Sequence, residues 1–524
     1  MILPNLIWIF FDRRLWTTDT ALYGFNALEL HHLLAHDPSH WIERALSIGP
    51  KPPIVPWLGQ FLVPIGLLAG NIDAGLLLLT FLSQAVALAF LFEALFEYSK
   101  SEWIALTGCA GAASAPLFID VSKQLYVQPV QLAAVCWFIY IMARSKRWDA
   151  LVILLQLTTA TCVAMLATMS SPAFCVIAGA VALSRAIRKL VYEKTVLSRR
   201  HAYHLALAAP VFLVTLFWYR RHLFEAIGYG GFSFHYIYGG LMGAGYLQKL
   251  WTWTSFLFRF GLTTWVAAVL LLWNIVILSR KSQARRDMLL EPLLVGVGQI
   301  SLALAVLASS EHQTSRYPIP ALGFVVVILV VSLTNIGKAW LTRSILAAFL
   351  LQFVVVNLIA FGYVKYESWY VRPIQTAPGR ESELLDAITD ATGTARGDVV
   401  LVTSGLRIFS FMLKYHAAKK PDAFRAAGPD FTSAEFVLTR RDVGADIDIA
   451  WRELMAAKPA YFVVLSDALR RAQREKWGGS PHGWSAIMEG AVEISERVIA
   501  DGEYELQSLP GYPEIEVYKR VDLE

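Results

Sequence analysis

The feature that most constrains this chain is a series of apolar segments, each close to the length needed to cross a lipid bilayer. They lie at about residues 73–96, 103–119, 125–143, 150–168, 172–190, 204–219, 251–278, 288–308, 318–336 and 344–363. A spanning helix needs about 20 apolar residues, and a helix satisfies its own backbone hydrogen bonds within lipid. The chain is also 56% hydrophobic and only 17% charged, whereas soluble domains are about 25% charged. The sequence therefore predicts a polytopic α-helical membrane protein.

Two segments near the N-terminus fit this pattern less well. The first, MILPNLIWIFF, is short for a span and lacks the basic start of a cleavable signal peptide. If this first segment is a span, the sequence predicts about 11 transmembrane helices. The segment 54–70 is interrupted by Pro56 and Pro64, which favours a position in the membrane interface.

The distribution of Lys and Arg predicts the orientation of the chain. Basic residues are more numerous in the loops at 144–147, 185–200 and 280–286 than in the loops on the opposite side. Because cytoplasmic loops are enriched in Lys and Arg, we expect the N-terminus in the cytoplasm and the C-terminal end outside.

From about Val364 onward the composition changes to that of a soluble domain. GDVVLVTSG is typical of a buried strand before a helix, and DIAWRELMAAKPAYFVVLSD of a helix before a strand. EYELQSLPGYPEIEVYKRV is typical of a β-hairpin with a Pro-Gly turn. We therefore predict two domains, a transmembrane domain at 1–363 and an extracytoplasmic α/β domain at 364–524.

Three polar clusters fall on the predicted outer face: LWTTDTALYGFNALELHH, IGPKPPIVPWL and SSEHQTSRYPIP. They bring one carboxylate, Asp19, and two cations, Lys51 and Arg316, to a membrane boundary. Charges there are costly unless they pair or bind a ligand. A carboxylate can remove a proton from an acceptor, while cations neutralise a departing phosphate. The pattern indicates group transfer from a phosphate-linked donor.

At these residues the chain resembles the GT-C class of integral-membrane glycosyltransferases, specifically the aminoarabinose and protein O-mannosyl transferases. LWTTDTALY followed by KPPIVPWL is similar to the family signature, RYPIP is similar to its late loop, and SAPLFIDVSKQLYVQPVQL to its second outer loop. The resemblance covers the membrane portion in outline and weakens beyond residue 145. It implies an inverting transferase that uses a polyprenyl-phosphate sugar.

The resemblance also assigns roles to individual residues. Asp19 matches the catalytic carboxylate, and Lys51 and Arg316 match the ligands of the donor phosphate. Further substrate contacts are implied for the following residues: Tyr23, Glu29, Tyr317, Asp120 and Gln128. Two positions depart from the family pattern, because Thr20 and Gln128 stand where the family carries acids.

Structural explanations compete with these roles. Asp19 could be the N-cap of a helix that starts near Ala21, Lys51 could extend along the apolar surface to lipid head groups, and Arg316 could be an interfacial anchor. His32 and His36 have the i, i+4 spacing of metal ligands but lack a third ligand. We therefore predict no metal site and no cofactor. Whether the reaction requires a divalent metal is left open. A glycine-rich stretch at 228–245 is interpreted as a lid over the donor site.

The sequence thus favours a glycosyltransferase of the bacterial inner membrane. It would take a monosaccharide from a polyprenyl-phosphate donor to a glycolipid such as lipid A or core oligosaccharide, to a cell-wall glycan or to a protein. We expect the lipid bilayer and these substrates as partners, and no nucleic acid. A polytopic transporter or flippase is the alternative; it would predict inverted repeats and ionisable residues near the bilayer midplane. A non-catalytic envelope-assembly protein is the third hypothesis.

Overall fold

The computed structural model describes most of the chain. Outside the description lie residues 1, 17, 50, 194–197, 233–244, 279–282, 310–315, 365–372, 393–397, 404–405, 407, 420–429, 439, 441–442, 444–445, 478–483, 508 and 523–524.

The described chain up to residue 360 is helical. Its helices, in chain order, are α1 (Leu3–Phe11), α2 (Thr18–His36), α3 (Pro38–Ser47), α4 (Ile54–Gly59), α5 (Val63–Leu68), α6 (Ile72–Ser99), α7 (Glu102–Ser114), α8 (Pro116–Val121), α9 (Gln128–Arg144), α10 (Ala150–Ala167), α11 (Val176–Tyr192), α12 (Arg199–Phe232), α13 (Tyr246–Leu257), α14 (Leu262–Leu278), α15 (Gln283–Ala308), α16 (Leu322–Ile336) and α17 (Ala339–Ala360).

The helices agree with the predicted pattern of membrane spans. Within the described residues, six helices are long and apolar enough to cross a membrane, and α13 with α14 makes a seventh if this pair, bent by 106°, is one span. The remaining predicted crossings correspond to shorter helices: α1, α7 with α8, α9 and α11. The segment 54–70 forms the two six-residue helices α4 and α5, too short to cross a bilayer of about 30 Å.

Helix α16 is the centre of this helical part. Nearly all its side chains are buried, and a helix that is apolar all round belongs in the interior of a bundle. It packs against α6, α7, α14 and α15, while α9 packs against α6, α10 and α11.

The C-terminal part contains a five-stranded sheet flanked by helices. Its elements are α18 (Arg380–Thr392), β1 (Val399–Val402), α19 (Ser410–Ala418), β2 (Phe431–Ser433), α20 (Ala434–Leu438), α21 (Ile447–Ala456), β3 (Tyr461–Leu465), α22 (Asp467–Trp477), α23 (Trp484–Ala500), β4 (Tyr504–Gln507) and β5 (Ile515–Arg520). The strand order is β2-β1-β3-β5-β4; β1 pairs in parallel with β2 and β3, and β5 pairs antiparallel with β3 and β4. The predicted strands and the Pro-Gly hairpin are confirmed.

The two faces of the sheet pack against different partners because strand side chains alternate in direction. Val400, Val402 and Phe462 pack with helices α20, α21 and α23 in a core that lies wholly within this domain. Val399, Leu401 and other residues of the opposite face join a second core that also includes residues of α2 and α6.

This second core fixes the C-terminal domain onto the helical part. Helix α19 packs on α2, and the ring of Tyr415 stacks on Trp16 with centroids 4.9 Å apart. The Tyr415 hydroxyl donates to the carboxylate of Asp73, whose Oδ2 lies 3.2 Å from Nζ of Lys419. A Cβ on Gly24 would lie 2.6 Å from the Tyr415 ring, so the close approach of the two helices requires glycine there. The predicted domain boundary at residue 364 stays a prediction.

Candidate active site

Asp19 lies in the first turn of α2, not at its N-cap. The helix begins at Thr18, before the predicted start near Ala21, so the capping explanation for Asp19 is wrong. A carboxylate in the first turn is still favoured, because the N-terminal end of a helix carries partial positive charge. The helix therefore supports an ionised Asp19 without using up its oxygens, which remain available for other partners.

The structure brings the two predicted cations onto this carboxylate. Nζ of Lys51 lies 2.5 Å from Oδ1 of Asp19, and Nη2 of Arg316 lies 2.7 Å from Oδ2. Each of the three side chains is between 20% and 26% exposed, so the cluster is partly shielded but open to a ligand. Lys51 and Arg316 are thus ion-pair partners of Asp19, which neither lipid snorkelling nor interfacial anchoring alone would require.

Local sequence explains how the cations reach this point. Pro52 and Pro53 follow Lys51, and a residue before proline is disfavoured in the helical conformation, so α4 begins only at Ile54. Arg316 precedes a turn closed by the bond from Ile319 N to Arg316 O, 3.2 Å long, which leads into α16. Arg316 is therefore attached to the most deeply buried helix of the bundle.

The charges of the cluster set its protonation. Burial alone would raise the pKa of Asp19, but Lys51 and Arg316 outweigh it and hold that pKa well below its usual value of 3.8. Burial likewise opposes protonation of Arg316, yet Tyr126 and Asp19 raise its pKa above the ordinary value. The resting site is therefore one carboxylate ionised between two cations.

Aromatic rings line the cluster. The Arg316 guanidinium lies 3.9 Å from the ring centroid of Tyr126 and 5.8 Å from that of Tyr317. Nζ of Lys51 lies 5.9 Å from the ring centroid of Tyr23. Tyr317 in turn stacks on Trp253, with centroids 6.3 Å apart. These rings hold the cations by cation–π attraction, which strengthens when water is excluded. The structure thus brings Tyr23 and Tyr317 to the site.

Glu29 is held elsewhere. It lies on α2, ten residues beyond Asp19, which is about 15 Å along the helix axis. Nη2 of Arg44 lies 2.6 Å from Oε2 of Glu29, and the same guanidinium donates to Asn26. The geometry gives no support to a substrate contact by Glu29, whose ion pair instead joins α2 to α3.

The polar residues of the second outer loop are buried. Asp120, at the end of α8, is 7% exposed, and Gln128, at the start of α9, is 4% exposed. Oε1 of Gln128 and Oγ1 of Thr20 are buried without a hydrogen-bond partner among the described residues. Buried acceptors are normally satisfied, so these two atoms remain open to bonds with water or a ligand. The substrate contacts of Asp120 and Gln128 stay predictions.

An apolar groove begins beside the segment that carries Lys51. It encloses about 600 Å³ between α4, α6, α9, α10 and α12, and Ile54, Trp57, Val86, Trp137 and Pro210 are among its lining residues. Ile54 and Trp57 belong to α4, which begins three residues after Lys51. The groove has the wall chemistry of a site for a hydrocarbon chain.

Two further predictions concern ligands. Among the described residues, no three His, Cys, Asp or Glu side chains are grouped as a metal site requires; the ring of His36 stacks on His32, with centroids 4.4 Å apart. The absence of a metal and of a cofactor stays a prediction. The proposed glycine-rich lid lies largely within residues 233–244, outside the described chain.

Sequence reasoning missed Tyr126 and the contact of Asp73 with Tyr415. Tyr126 stands within the second outer loop, in KQLYVQP, but a single tyrosine there carries no periodicity that could assign it to Arg316. Asp73 and Tyr415 lie in different predicted domains, and only the tertiary structure joins them.

Comparison with known proteins supports the fold. No protein-family model matches the chain, and no curated protein sequence matches it. The structure is similar to the crystal structure of ArnT, an aminoarabinose transferase of the GT-C class, from Cupriavidus metallidurans bound to undecaprenyl phosphate. The TM-score is 0.57 at 13% identity, covering 99% of this chain and 97% of that one. ArnT from the same organism in the apo state also aligns, with a TM-score of 0.41 at 13% identity over 98% of this chain and 95% of that one.

The first of these matches extends over nearly the whole of both chains. The protein therefore has the GT-C fold, a polytopic membrane part followed by a C-terminal domain that contains a small sheet. The resemblance stated from the sequence is confirmed at the level of the fold.

Proposed function

We propose that this protein is an inverting glycosyltransferase that moves a monosaccharide from a polyprenyl-phosphate donor to an acceptor at the outer face of the bacterial inner membrane. The observation that carries the proposal is the Asp19 carboxylate bound between Lys51 and Arg316, together with an apolar groove lined by α4, the helix that follows Lys51 in the chain. A phosphate-linked lipid has the matching chemistry, an anion joined to a hydrocarbon chain. The fold, similar to that of a protein crystallised with undecaprenyl phosphate, supports the same donor class.

In the resting site the cations bind Asp19 itself. The sequence predicts two separate functions: the carboxylate takes a proton from the acceptor, and the cations bind the donor phosphate. Both are compatible if the donor phosphate takes over Lys51 and Arg316 when it binds, because a phosphate oxygen competes with a carboxylate oxygen for the same donors. Binding of the donor then releases Asp19 and raises its pKa towards the ordinary value.

The released carboxylate acts as the general base of the transfer. Asp19 accepts the proton of an acceptor hydroxyl, whose oxygen attacks the anomeric carbon from the face opposite the phosphate. The new glycosidic bond forms as the bond from the anomeric carbon to the phosphate oxygen breaks. Lys51 and Arg316 stabilise the charge that develops on the leaving polyprenyl phosphate, and Tyr126 keeps the Arg316 guanidinium in position.

The C-terminal domain contributes to the choice of acceptor. Helix α19 packs on α2, the helix that carries Asp19, so this domain lies beside the helix that carries the site. Candidate acceptors are lipid A or core oligosaccharide, a cell-wall glycan and protein hydroxyls. This proposal needs the N-terminus in the cytoplasm and the C-terminal domain outside, as the Lys and Arg distribution predicts.

Donor turnover by the purified full-length protein tests the proposal. The protein is reconstituted in liposomes with a polyprenyl-phosphate sugar and each acceptor class in turn, and release of polyprenyl phosphate and glycosylated acceptor are measured. We expect release that depends on the acceptor and is lost in Asp19→Asn. Transport of the lipid across the bilayer without cleavage of the sugar–phosphate bond would instead establish the flippase alternative.

A further inference from the structure

The apolar groove continues into a second cleft at the other end of the helix bundle. This cleft encloses about 570 Å³, and Phe90 and Trp137 line both cavities. Its other lining residues are Tyr140, Arg144, Trp148, Gln156, Arg200 and His204. Its polar walls distinguish it from the groove above, although the two share one boundary.

The cleft lies at the opposite end of α9 from the loop of Tyr126, whose ring contacts Arg316. Helix α9 begins at Gln128, next to the loop of Tyr126, and ends at Arg144 in the cleft. Its 17 residues separate the two ends by about 25 Å, close to the thickness of the hydrocarbon core. Helix α12 runs the other way: Arg199 and Arg200 start it at the cleft, and Trp218 donates to Ile48 O, 2.7 Å away, near Lys51.

Aromatic rings frame the cations of the cleft. The Arg200 guanidinium lies 5.9 Å from the ring centroid of Trp148, and the Arg144 guanidinium lies 5.8 Å from that of Tyr140. The rings of Tyr140 and Trp148 meet edge to face, with centroids 5.3 Å apart. Rings of this kind are enriched where lipid head groups meet the hydrocarbon region.

Positive charge exceeds negative charge around the cleft. Arg144 binds Glu93 at 2.6 Å and approaches Glu97 at 3.7 Å, but Glu97 is also bound by Arg147 and Lys100. These three cations therefore face two carboxylates. The excess means that an anion entering the cleft meets cations that the neighbouring acids only partly neutralise.

Two donors of the cleft are available to a ligand. Within the described residues Arg200 has no carboxylate at ion-pair distance, and Nε of Arg144 is buried without a hydrogen-bond partner. A buried donor that lacks a partner is costly. Nearby, Nζ of Lys189 lies 2.6 Å from the backbone oxygen of Trp148, which adds a further cation to this wall.

We propose that this cleft is a binding site for an anionic glycerophospholipid, with the headgroup phosphate between Arg144 and Arg200 and the start of an acyl chain against Phe90 and Trp137, where the cleft meets the groove. A basic pocket between transmembrane helices suits an anionic headgroup. The shared boundary at Phe90 and Trp137 lets one ligand use both polar and apolar walls. The cleft lies at the Arg144 end of α9, about 25 Å along the helix axis from Gln128, and the assignment does not rest on the proposed transferase function.

Native mass spectrometry of the purified full-length protein tests this assignment. Dioleoyl phosphatidylglycerol and dioleoyl phosphatidylcholine are titrated separately, and we expect tighter binding of the phosphatidylglycerol. Arg200→Gln, at an exposed residue, should weaken phosphatidylglycerol binding by about tenfold, the loss expected for one charge-assisted hydrogen bond. Arg144→Gln should weaken it similarly.

Arg220→Gln is the matched control, since Arg220 is an exposed arginine of the same helix near its opposite end; it should leave phosphatidylglycerol binding unchanged. The tenfold loss in Arg200→Gln should persist in a Lys51→Ala background, which separates this site from the one at Asp19.

Three results would overturn the assignment. They are equal binding of the two phospholipids, wild-type binding of phosphatidylglycerol by Arg200→Gln, and displacement of the lipid by an equal concentration of glycerol 1-phosphate, which would indicate a site for soluble phosphate. Tighter binding of polyprenyl phosphate than of phosphatidylglycerol at the Arg200-dependent site would equally replace the proposed ligand.

Discussion

Nζ of Lys51 lies 2.5 Å from Oδ1 of Asp19, although the two residues are 32 positions apart in the chain. The Lys51 ammonium contacts the Asp19 carboxylate directly, so the two groups do not lie on separate faces of the site. Any anionic ligand that binds Lys51 must therefore compete with Asp19, so ligand binding and the release of the Asp19 carboxylate are linked.

Asp19→Asn should abolish transfer while leaving donor binding largely intact. The amide keeps the shape of the side chain but cannot accept the acceptor proton, and loss of a general base costs about 10²–10⁴-fold in rate. Turnover of donor and a donor titration measure the two effects. Asp37→Asn, at an exposed carboxylate bonded to His40, is the control and should retain full activity. Wild-type turnover in Asp19→Asn would leave Asp19 only a structural role.

The pH dependence of the reaction should differ between free and bound protein. In the free protein Lys51 and Arg316 keep the pKa of Asp19 below its usual 3.8, so the carboxylate is lost only when the pH falls through that lowered value. In the proposed mechanism the donor phosphate takes the two cations, so the pKa of Asp19 should rise in the donor complex. The acid limb of kcat, which reports the complex, should therefore lie at higher pH than the acid limb of kcat/KM. Coincident limbs would contradict the transfer of cations to the phosphate.

Lys51→Ala and Arg316→Ala should each weaken binding of a polyprenyl-phosphate sugar. Each removes one charge-assisted contact worth about 1.5–3 kcal/mol, and the double variant should lose less than the sum because both side chains meet one phosphate. Equilibrium titration gives the three losses. Arg44→Ala removes a guanidinium from the Glu29 ion pair and should bind donor normally. Strictly additive losses would mean that Lys51 and Arg316 serve different ligands.

Labelling of introduced cysteines tests the predicted orientation. Glu505 in β4 and Arg188 in α11 are exposed and therefore suit this test. A membrane-impermeant thiol reagent should label Glu505→Cys in intact cells and Arg188→Cys only after permeabilisation. The reverse pattern would put the Asp19 site in the cytoplasm and remove the proposed outer-face acceptors.

Tyr415→Phe should reduce transfer by loosening the contact between α19 and α2. The hydroxyl bond to Asp73 is lost, at a cost of about 1 kcal/mol, while the stacking on Trp16 remains. Tyr504→Phe is the matched control, since that hydroxyl donates to Pro459 O at 3.0 Å within the C-terminal domain. If Tyr415→Phe and Tyr504→Phe lose the same thermal stability, the kcat of acceptor-dependent transfer should fall further in Tyr415→Phe than in Tyr504→Phe. Equal kcat values would limit this contact to stability.

Removal of the whole C-terminal domain is a less informative experiment. Trp16 and Leu28 of the helical part share one core with Leu413 and Val463, so deletion would expose apolar surface as well as remove the domain. Single substitutions at the contact keep that surface covered.

What the sequence by itself determined about this protein is what depends on neighbouring residues. The length of the apolar runs predicted helices such as α6 and α10, and the change of composition near Val364 predicted the α/β part, because the length of an apolar run and the local composition are both properties of neighbouring residues. The family resemblance then selected Asp19, Lys51 and Arg316 as site residues.

Only the tertiary structure decided how these residues meet. Asp19 and Arg316 are 297 positions apart, and no local pattern predicts that Arg316 would bind the carboxylate and Tyr126 together, or that Glu29 would pair with Arg44 instead. Such pairs form because the packing of α2, α4 and α16 brings charges from distant segments into one poorly solvated site, where each must find a partner or a ligand. The sequence determines the chemistry of each residue, but packing determines which residues it contacts.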